Sequence, residues 1–434
     1  MRRLLSTGAV LAVLAVSAMA AIAVPASAAV PDLTGRSYVS LGDSYAAAWG
    51  LPLAATQPAA GCDQSDENYP HLVADEFGLD LDDRSCGGAV IANVVDTPQT
   101  VGGATAPVQS DALDADTDLV TLTIGGNDLG FWQLGQMCIA ATAGGPVAGS
   151  LDGNVHASCA EQFVVNTPAG PVNTLETQID QTVAPALSAA LADIGARAPH
   201  AKVIVVGYPA LAPDAAHTPS DGCYTSLLQG LGFRANAYPY TNADVELLYA
   251  TQVHLDDTMA EVTAASGATY VSLLADSVAH TPCNPTDAYV NGITLSLAPD
   301  SVPVSGLPVG GIKKGAIHPN AAGAAFAGTK VSDAVRALFA EPDPTPTPTI
   351  TSTPTPTDDP SPTPTASPSP SATESPSAGV SPVPSASATP VAAASTGALA
   401  TTGTPSVAGA IGIGAALLLV GVAVTLLLRR RVHS

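Results

Sequence analysis

Basic residues are scarce in this chain. Of 434 residues only 14 are Lys or Arg, against 37 Asp or Glu, and Arg2, Arg3, Arg429, Arg430 and Arg431 sit at the extreme ends. The interior has no basic patch, which argues against nucleic acid as a partner. The acidic excess is mainly a solubility feature. Of a substrate it says only that a polyanion would need a locally neutral site. Metal-ligand spacings are missing as well: there is no Cys-x-x-Cys pair and the histidines do not cluster. Neither a metal nor any other cofactor is expected.

The two ends are not domain material. Met1 to Ala28 carries Arg2 and Arg3, an apolar run and then Ala26-Ser27-Ala28, the pattern of a secretory signal with a small-residue cleavage site. Val407 to Leu428 is an uncharged apolar run followed by Arg429-Arg430-Arg431. It is long enough to span a bilayer, with the basic tail 429–434 kept in the cytoplasm. From Glu341 to about Thr396, Pro, Thr, Ser and Ala dominate, which reads as an extended spacer without a core. One large globular domain is left, roughly Val30 to Ala340. All six cysteines (Cys62, Cys86, Cys138, Cys159, Cys223 and Cys283) lie inside it, which suits structural disulfides in an oxidising location. Residue order alone leaves fifteen pairings open.

Within the domain, strand-like and helix-like segments alternate. The strand candidates are Tyr38 to Leu41, Leu79 to Ser85, Leu119 to Ile124, Lys202 to Gly207 and Thr269 to Leu273. The helix candidates are Tyr69 to Phe77, Val172 to Arg197, Tyr240 to Ala265 and Ala321 to Phe339. Alternation of this kind predicts an α/β fold with a parallel sheet covered by helices on both faces. Ligands of such sheets bind at the carboxyl ends of the strands. Ser44 follows the first strand, Gly88 the second and Asn127 the third, so all three gather on one edge.

That edge has the parts for nucleophilic catalysis. Ser44, in Gly42-Asp43-Ser44-Tyr45, is predicted just past a strand at the start of a helix, with its hydroxyl exposed. His318, in His318-Pro319-Asn320, can supply the base that a serine hydroxyl needs. The backbone N–H of Ser44, the N–H of Gly88 in Cys86-Gly87-Gly88-Ala89 and the side-chain amide of Asn127 in Gly125-Gly126-Asn127-Asp128 are candidate donors to a tetrahedral oxyanion. Singly, each has a plainer reading: a turn glycine, a turn asparagine, a helix-start histidine. Their order and joint presence favour the catalytic one.

These four blocks resemble the SGNH hydrolases, the GDSL esterases and lipases, over about Tyr38 to Phe339. Thr123 to Phe131 and His318 to Gly323 carry the likeness furthest, toward the secreted actinobacterial branch. The resemblance implies a flavodoxin-like three-layer α/β/α sandwich with a central parallel sheet, and ester hydrolysis with Ser44 as nucleophile and His318 as base. It also implies three sequential disulfides: Cys62–Cys86, Cys138–Cys159 and Cys223–Cys283. The Gly-x-Ser-x-Gly elbow of the α/β-hydrolases is absent around Ser44. Two features depart from the family pattern. Ala46, Ala47 and Ala48 stand where Ser and Gly are usual, with a further departure over Leu51 to Ala60. Gly315 stands where many members place an aspartate three residues before the histidine. The family likeness then points to the main-chain carbonyl of Ala316 as the group that orients His318, with Asp276, Asp287 and Asp300 as the upstream acids that could fold back instead. Asp43 is expected to orient its loop rather than react, and the Gly- and Ala-rich stretch Ala140 to Gly153 is a candidate mobile segment.

Leu399-Ala400-Thr401-Thr402-Gly403, with the apolar run and basic tail behind it, resembles the sorting signals of Gram-positive sortases. It implies cleavage between Thr402 and Gly403 and attachment of Thr402 to peptidoglycan. The expected protein is a secreted, wall-displayed carboxylic-ester hydrolase and a monomer. Its partners are an ester substrate, sortase and peptidoglycan, with the membrane touched only through the C-terminal run before sorting. A polysaccharide O-deacetylase and a non-catalytic wall-anchored adhesin are the alternatives.

Overall fold

The computed structural model describes residues 31–304 and 310–340. The expected signal segment (1–28), spacer (341–396), sorting motif (399–403, with Thr402 and Gly403), apolar run (407–428) and basic tail (429–434) lie outside the described residues. Among the described residues no helix is long and apolar enough to cross a membrane.

Five strands form the central sheet: β1 (Ser37–Gly42), β2 (Asp80–Asp83), β3 (Leu119–Thr123), β4 (Lys202–Val206) and β5 (Thr269–Val271). Their order is β2-β1-β3-β4-β5 and every pairing is parallel. This is the doubly wound flavodoxin-like order, in which the winding reverses between β1 and β3 and leaves a crevice beyond their carboxyl ends. The helices used below are α1 (Tyr69–Phe77), α2 (Ile91–Val95), α3 (Gly126–Leu129), α4 (Phe131–Met137), α5 (Ala184–Arg197), α6 (Asn242–Ser266) and α7 (Ala321–Leu338).

Successive side chains of a strand point to opposite faces, and the sheet sorts its core accordingly. Tyr38, Leu119, Ile204 and Val206 pack with Tyr69, Val73 and Phe77 of α1 and Val331 and Val335 of α7. Val39, Leu41, Val120, Leu122 and Val205 pack on the other face with Ile91 of α2, Leu187 and Ile194 of α5, and Leu255 and Met259 of α6. The three-layer sandwich follows from strands that are apolar on both faces.

Helix starts are set by side-chain caps. The segment expected as helix from Val172 begins at Thr174, because the Asn173 side chain accepts from the Leu175 N–H and Gly170–Asn173 pairs with Val164–Thr167 in a hairpin. It reaches α5 through a wider π-type turn at Ile179–Val183. The helix expected from Tyr240 starts at Asn242, where Thr241 Oγ1 accepts from the Asp244 N–H at 3.2 Å. Helix α7 starts at Ala321 under the Asn320 side chain, which takes the Gly323 N–H at 3.0 Å. Outside the main sheet lie further hairpins at Gln99–Val101 with Ala104–Ala106 and at Leu228–Gln229 with Gly232–Phe233. A three-stranded patch of Leu295–Ser296, Gly311–Ile312 and Val302–Pro303 completes the extended structure.

Three disulfides join Cys62 to Cys86, Cys138 to Cys159 and Cys223 to Cys283, with sequence separations of 24, 21 and 60. The second closes the loop that holds Ala140 to Gly153. Backbone hydrogen bonds from Ala140 to Pro239, Ala148 to Ile139 and Gly149 to Met137 tie that stretch down as well.

Chain entropy lost on closing a loop grows with loop length, so the 60-residue Cys223–Cys283 closure restricts the unfolded chain most. Replacing both cysteines by serine is expected to lower the unfolding free energy by about 4 kcal/mol on the loop-closure relation. Urea unfolding of the purified domain measures this. A loss no larger than that of the Cys138/Cys159 pair would contradict it.

Candidate active site

Strand β1 ends at Gly42, and that position admits only glycine. Its φ is +149° and an added Cβ would sit 2.5 Å from the Thr123 carbonyl oxygen of β3. The Gln109 side-chain amide grips the same residue, accepting from the Gly42 N–H at 2.7 Å and donating to its carbonyl at 2.9 Å. Asp43 N–H bonds Thr123 O at 2.9 Å. Ser44 therefore leaves the sheet from a backbone fixed on both sides. The helix expected to start at Ser44 does not form. The chain makes successive turns instead, with Ala47 N–H on Asp43 O and Trp49 N–H on Ser44 O, and Ala48 is left-handed at φ 55°. Ala46, Ala47 and Ala48 are buried, and Ala47 O takes the Ser65 N–H. The chain has to double back here, and a helix would carry it away. No helix dipole stands behind the Ser44 N–H.

Ser44 Oγ lies 2.7 Å from His318 Nε2, and His318 Nδ1 lies 2.8 Å from the Ala316 carbonyl oxygen. A carbonyl can only accept, so Nδ1 carries the proton and Nε2 is left bare to accept from the serine hydroxyl. Asp276, Asp287 and Asp300 are elsewhere: Asp276 pairs with Lys330, Asp287 pairs with His280 at 3.0 Å, and Asp300 lines a groove beside Lys313 and Lys314. Gly315 packs its backbone against that of Gly50, where an added Cβ on Gly50 would lie 2.2 Å from the Gly315 Cα. Gly315 itself has φ +84°. An aspartate there would be strained in that left-handed state, and its Cβ would sit tightly, 3.2 Å from the Gly50 Cα. The loop is pinned by Asn291, whose Nδ2 donates to Gly315 O at 3.1 Å and His318 O at 3.3 Å, and whose carbonyl takes the Ile317 N–H at 3.0 Å.

The other two sequence blocks are bonded to this frame. Cys86 N–H reaches Gly42 O at 3.0 Å, so the Gly88 turn hangs from the end of β1. Asn127 Nδ2 donates to Ala89 O at 2.9 Å, and Asp128 accepts the Ile91 N–H at the start of α2. Burial pushes the Asp128 carboxyl up to about 6. Among the described residues, no backbone carbonyl takes the N–H of Ser44 or of Gly88. Asn127 has a second amide hydrogen beyond the one spent on Ala89. The N–H groups of Ser44 and Gly88 and the second Asn127 amide hydrogen thus have no backbone carbonyl partner among the described residues; a charge developing on a substrate oxygen needs donors fixed in advance.

Reading the sequence alone missed the residues that knit these blocks together. Tyr208 OH donates to Asp43 Oδ2 at 2.6 Å and accepts the Gly126 N–H at 2.9 Å. Asp43 Oδ1 accepts the Tyr45 N–H at 2.9 Å, so Asp43 holds its turn from both oxygens. Its burial raises the carboxyl to about 7. The His318 ring is ringed by aromatics, with centroids at 4.8 Å for Tyr45, 4.7 Å for Trp49 and 6.4 Å for Trp132. Trp49 Nε1 is in turn held by Asp63 at 3.0 Å, which also takes Lys314 at 2.7 Å. The chain has only two tryptophans and both flank this histidine. That scarcity was the available signal. Of the candidate metal ligands among the described residues, Cys138, Cys159 and Asp244 come together. The two cysteines are disulfide-bonded and so are not thiolates.

Burial pushes His318 down to about 4, with the Ala316 carbonyl acting the other way. The ring is therefore neutral at pH 7 and ready to accept a proton. A histidine depressed on folding contributes stability above its ordinary 6.5 that is lost as pH falls toward 4. Asp43, raised on folding, contributes stability below 3.8 that is lost as pH rises toward 7. The two contributions oppose each other between about 4 and 6.5, so melting temperature reports neither cleanly. The acid limb of kcat/KM does, because it follows the free enzyme's base. With a soluble ester its midpoint is expected far below 6.5, near 4. A midpoint at 6.5 would mean a solvated ring.

Residues 40–326 match the GDSL-like Lipase/Acylhydrolase family. The chain is 37% identical over 248 residues to Lipase 2 of Streptomyces coelicolor, spanning 57% of this chain and 72% of that one. It is 33% identical over 271 residues to an esterase of Streptomyces scabiei, spanning 59% and 74%. Among solved structures, phospholipase A1 from Streptomyces albidoflavus NA297 is similar with a TM-score of 0.46 at 22% identity, over 70% of this chain and 100% of that chain. The family match runs from within β1 into α7 and so takes in all four site blocks: the chain belongs to the GDSL-like lipase/acylhydrolase family and is a serine ester hydrolase.

Proposed function

We propose that Ser44 is the nucleophile and His318 the general base of a carboxylic-ester hydrolase that works through an acyl-enzyme. The observation that carries this is the continuous line Ser44 Oγ, His318 Nε2, His318 Nδ1, Ala316 O, with contacts of 2.7 and 2.8 Å. Nε2 takes the hydroxyl proton as Oγ bonds the ester carbon, and the carbonyl electron pair moves onto oxygen. The N–H groups of Ser44 and Gly88 and the Asn127 amide hold that oxyanion. Nε2 then hands the proton to the departing alkoxide, and the C–O bond of the ester breaks. Water, deprotonated by the same nitrogen, releases the acid and restores Ser44. The Ala316 carbonyl keeps the imidazole in the useful tautomer and accepts from Nδ1–H throughout.

Ser44→Ala is expected to fold normally and to lose about 10⁶ in turnover, the usual scale for a serine nucleophile. Asn127→Ala is expected to lose about 10²–10³ if its amide serves the oxyanion. Both are read as kcat on a chromogenic ester. An alanine at 44 with more than a tenth of the native rate would end the assignment.

We further propose that the hydrolase is secreted and displayed on the cell wall. The supports are the signal-like Met1 to Ala28, three disulfides in the folded domain, the Pro-rich spacer from Glu341 and the order of motif, apolar run and arginines at the C-terminal end. In this reading Thr402 is joined to peptidoglycan after cleavage before Gly403. Mass spectrometry of wall digests should find a peptide ending at Thr402 that carries a wall fragment. Chains ending at Ser434 in the membrane fraction, with none in the wall, would contradict it.

A further inference from the structure

Between the carbonyl that orients the histidine and the histidine itself stands Ile317. Its φ is +54°, a left-handed state that β-branched residues avoid. Rotation about this residue swings Ala316 O away from the His318 ring, so the 2.8 Å contact exists only while Ile317 stays there. Three contacts hold it. Its N–H bonds Asn291 O at 3.0 Å. Its side chain fills the notch over Gly135 of α4, where an added Cβ would lie 2.9 Å from Ile317 Cδ1. Its carbonyl takes the Tyr45 hydroxyl at 2.5 Å.

The third contact is unlike the others, because Tyr45 is the neighbour of Ser44. We propose that Tyr45 is a positioning residue whose hydroxyl clamps the Ile317 peptide in its left-handed state and thereby sets His318 against Ser44. The clamp is itself fixed. The Tyr45 ring lies beside His318 and edge-on to Tyr208, with centroids 4.8 and 4.9 Å away. Its N–H is held by Asp43. Asp43 is held by Tyr208, and Tyr208 by the Gly126 N–H. The nucleophile turn, the Asn127 turn and the histidine loop are thus one hydrogen-bonded unit. Burial raises the Tyr45 phenol well above its ordinary range, which keeps it a donor. The inference rests on the Ser44–His318 reading given above.

The test is Tyr45→Phe, which keeps the ring and removes only the hydroxyl. The expected result is a fall in kcat of about tenfold or more with KM changed less than about twofold, a loss confined to the transition state. Glycine adopts positive φ without penalty. In an Ile317→Gly background, therefore, the same Tyr45→Phe change should cost less than about threefold, a coupling that a double-mutant cycle isolates. Full kcat in Tyr45→Phe would overturn the proposal, as would a loss that appears in KM or one of equal size in both backgrounds. If Tyr45→Phe alone did not fold, the change would be read in the Ile317→Gly background alone, where a kcat loss above about threefold would overturn the proposal. An active Ser44→Ala enzyme would instead sink the dyad itself. An inactive Ser44→Ala together with an unimpaired Tyr45→Phe would sink only the clamp.

Discussion

The site depends on a contact between two glycines. Gly50, at the end of the turns after Ser44, and Gly315, three residues before His318, lie backbone against backbone with no space for a Cβ on Gly50. This draws the nucleophile turn and the histidine loop together, and it fixes what can face the imidazole. A side chain at 315 would crowd Gly50 at 3.2 Å and would have to be held at φ +84°, which disfavours a carboxylate at that position. The ring turns to the nearest acceptor the loop can offer, the carbonyl of Ala316.

A carbonyl and a carboxylate do different work. Both fix the tautomer, but only the carboxylate brings a full negative charge to stabilise the imidazolium, and neutralising that charge in a true triad costs about 10⁴ in turnover. The proposed mechanism does without it, at a histidine with little solvent around it. His318 is only 6% exposed and packs against Tyr45, Trp49 and Trp132. Low exposure weakens the histidine as a base in the resting enzyme. It also strengthens every fixed dipole aimed at the developing oxyanion. In the proposed mechanism the balance moves from stabilising the cation to stabilising the anion, which would place weight on the proposed Ser44, Gly88 and Asn127 donors.

Much of this was legible in the sequence, for identifiable reasons. Strands β1, β3 and β4 are runs of apolar or β-branched residues long enough to declare themselves, and their alternation with helices gives the sheet order its direction. Ser44 and His318 stood out because each sits in a short motif beside an element boundary. The helix expected after Ser44 failed because Ala46 to Ala48 has high helix propensity locally, whereas the fold needs that segment to return toward Ser65 and Gly315. Tertiary contact overrode propensity. Tyr45, Tyr208, Asn291 and Ile317 were invisible for a different reason. Their roles are contacts between segments as far apart as Tyr45 and Ile317, and no local pattern encodes such a partner. The small hairpins escaped because strands of two to four residues carry no readable period.

His318 is held by a backbone carbonyl, neutral and protonated on Nδ1, with Nε2 turned to Ser44. Imidazole ¹⁵N NMR of the resting enzyme at neutral pH, with His318 assigned by comparison with His318→Ala, reads this directly. The expected spectrum shows a protonated, pyrrole-type Nδ1 and an unprotonated, pyridine-type Nε2. A proton on Nε2, or an imidazolium at pH 7, would contradict it.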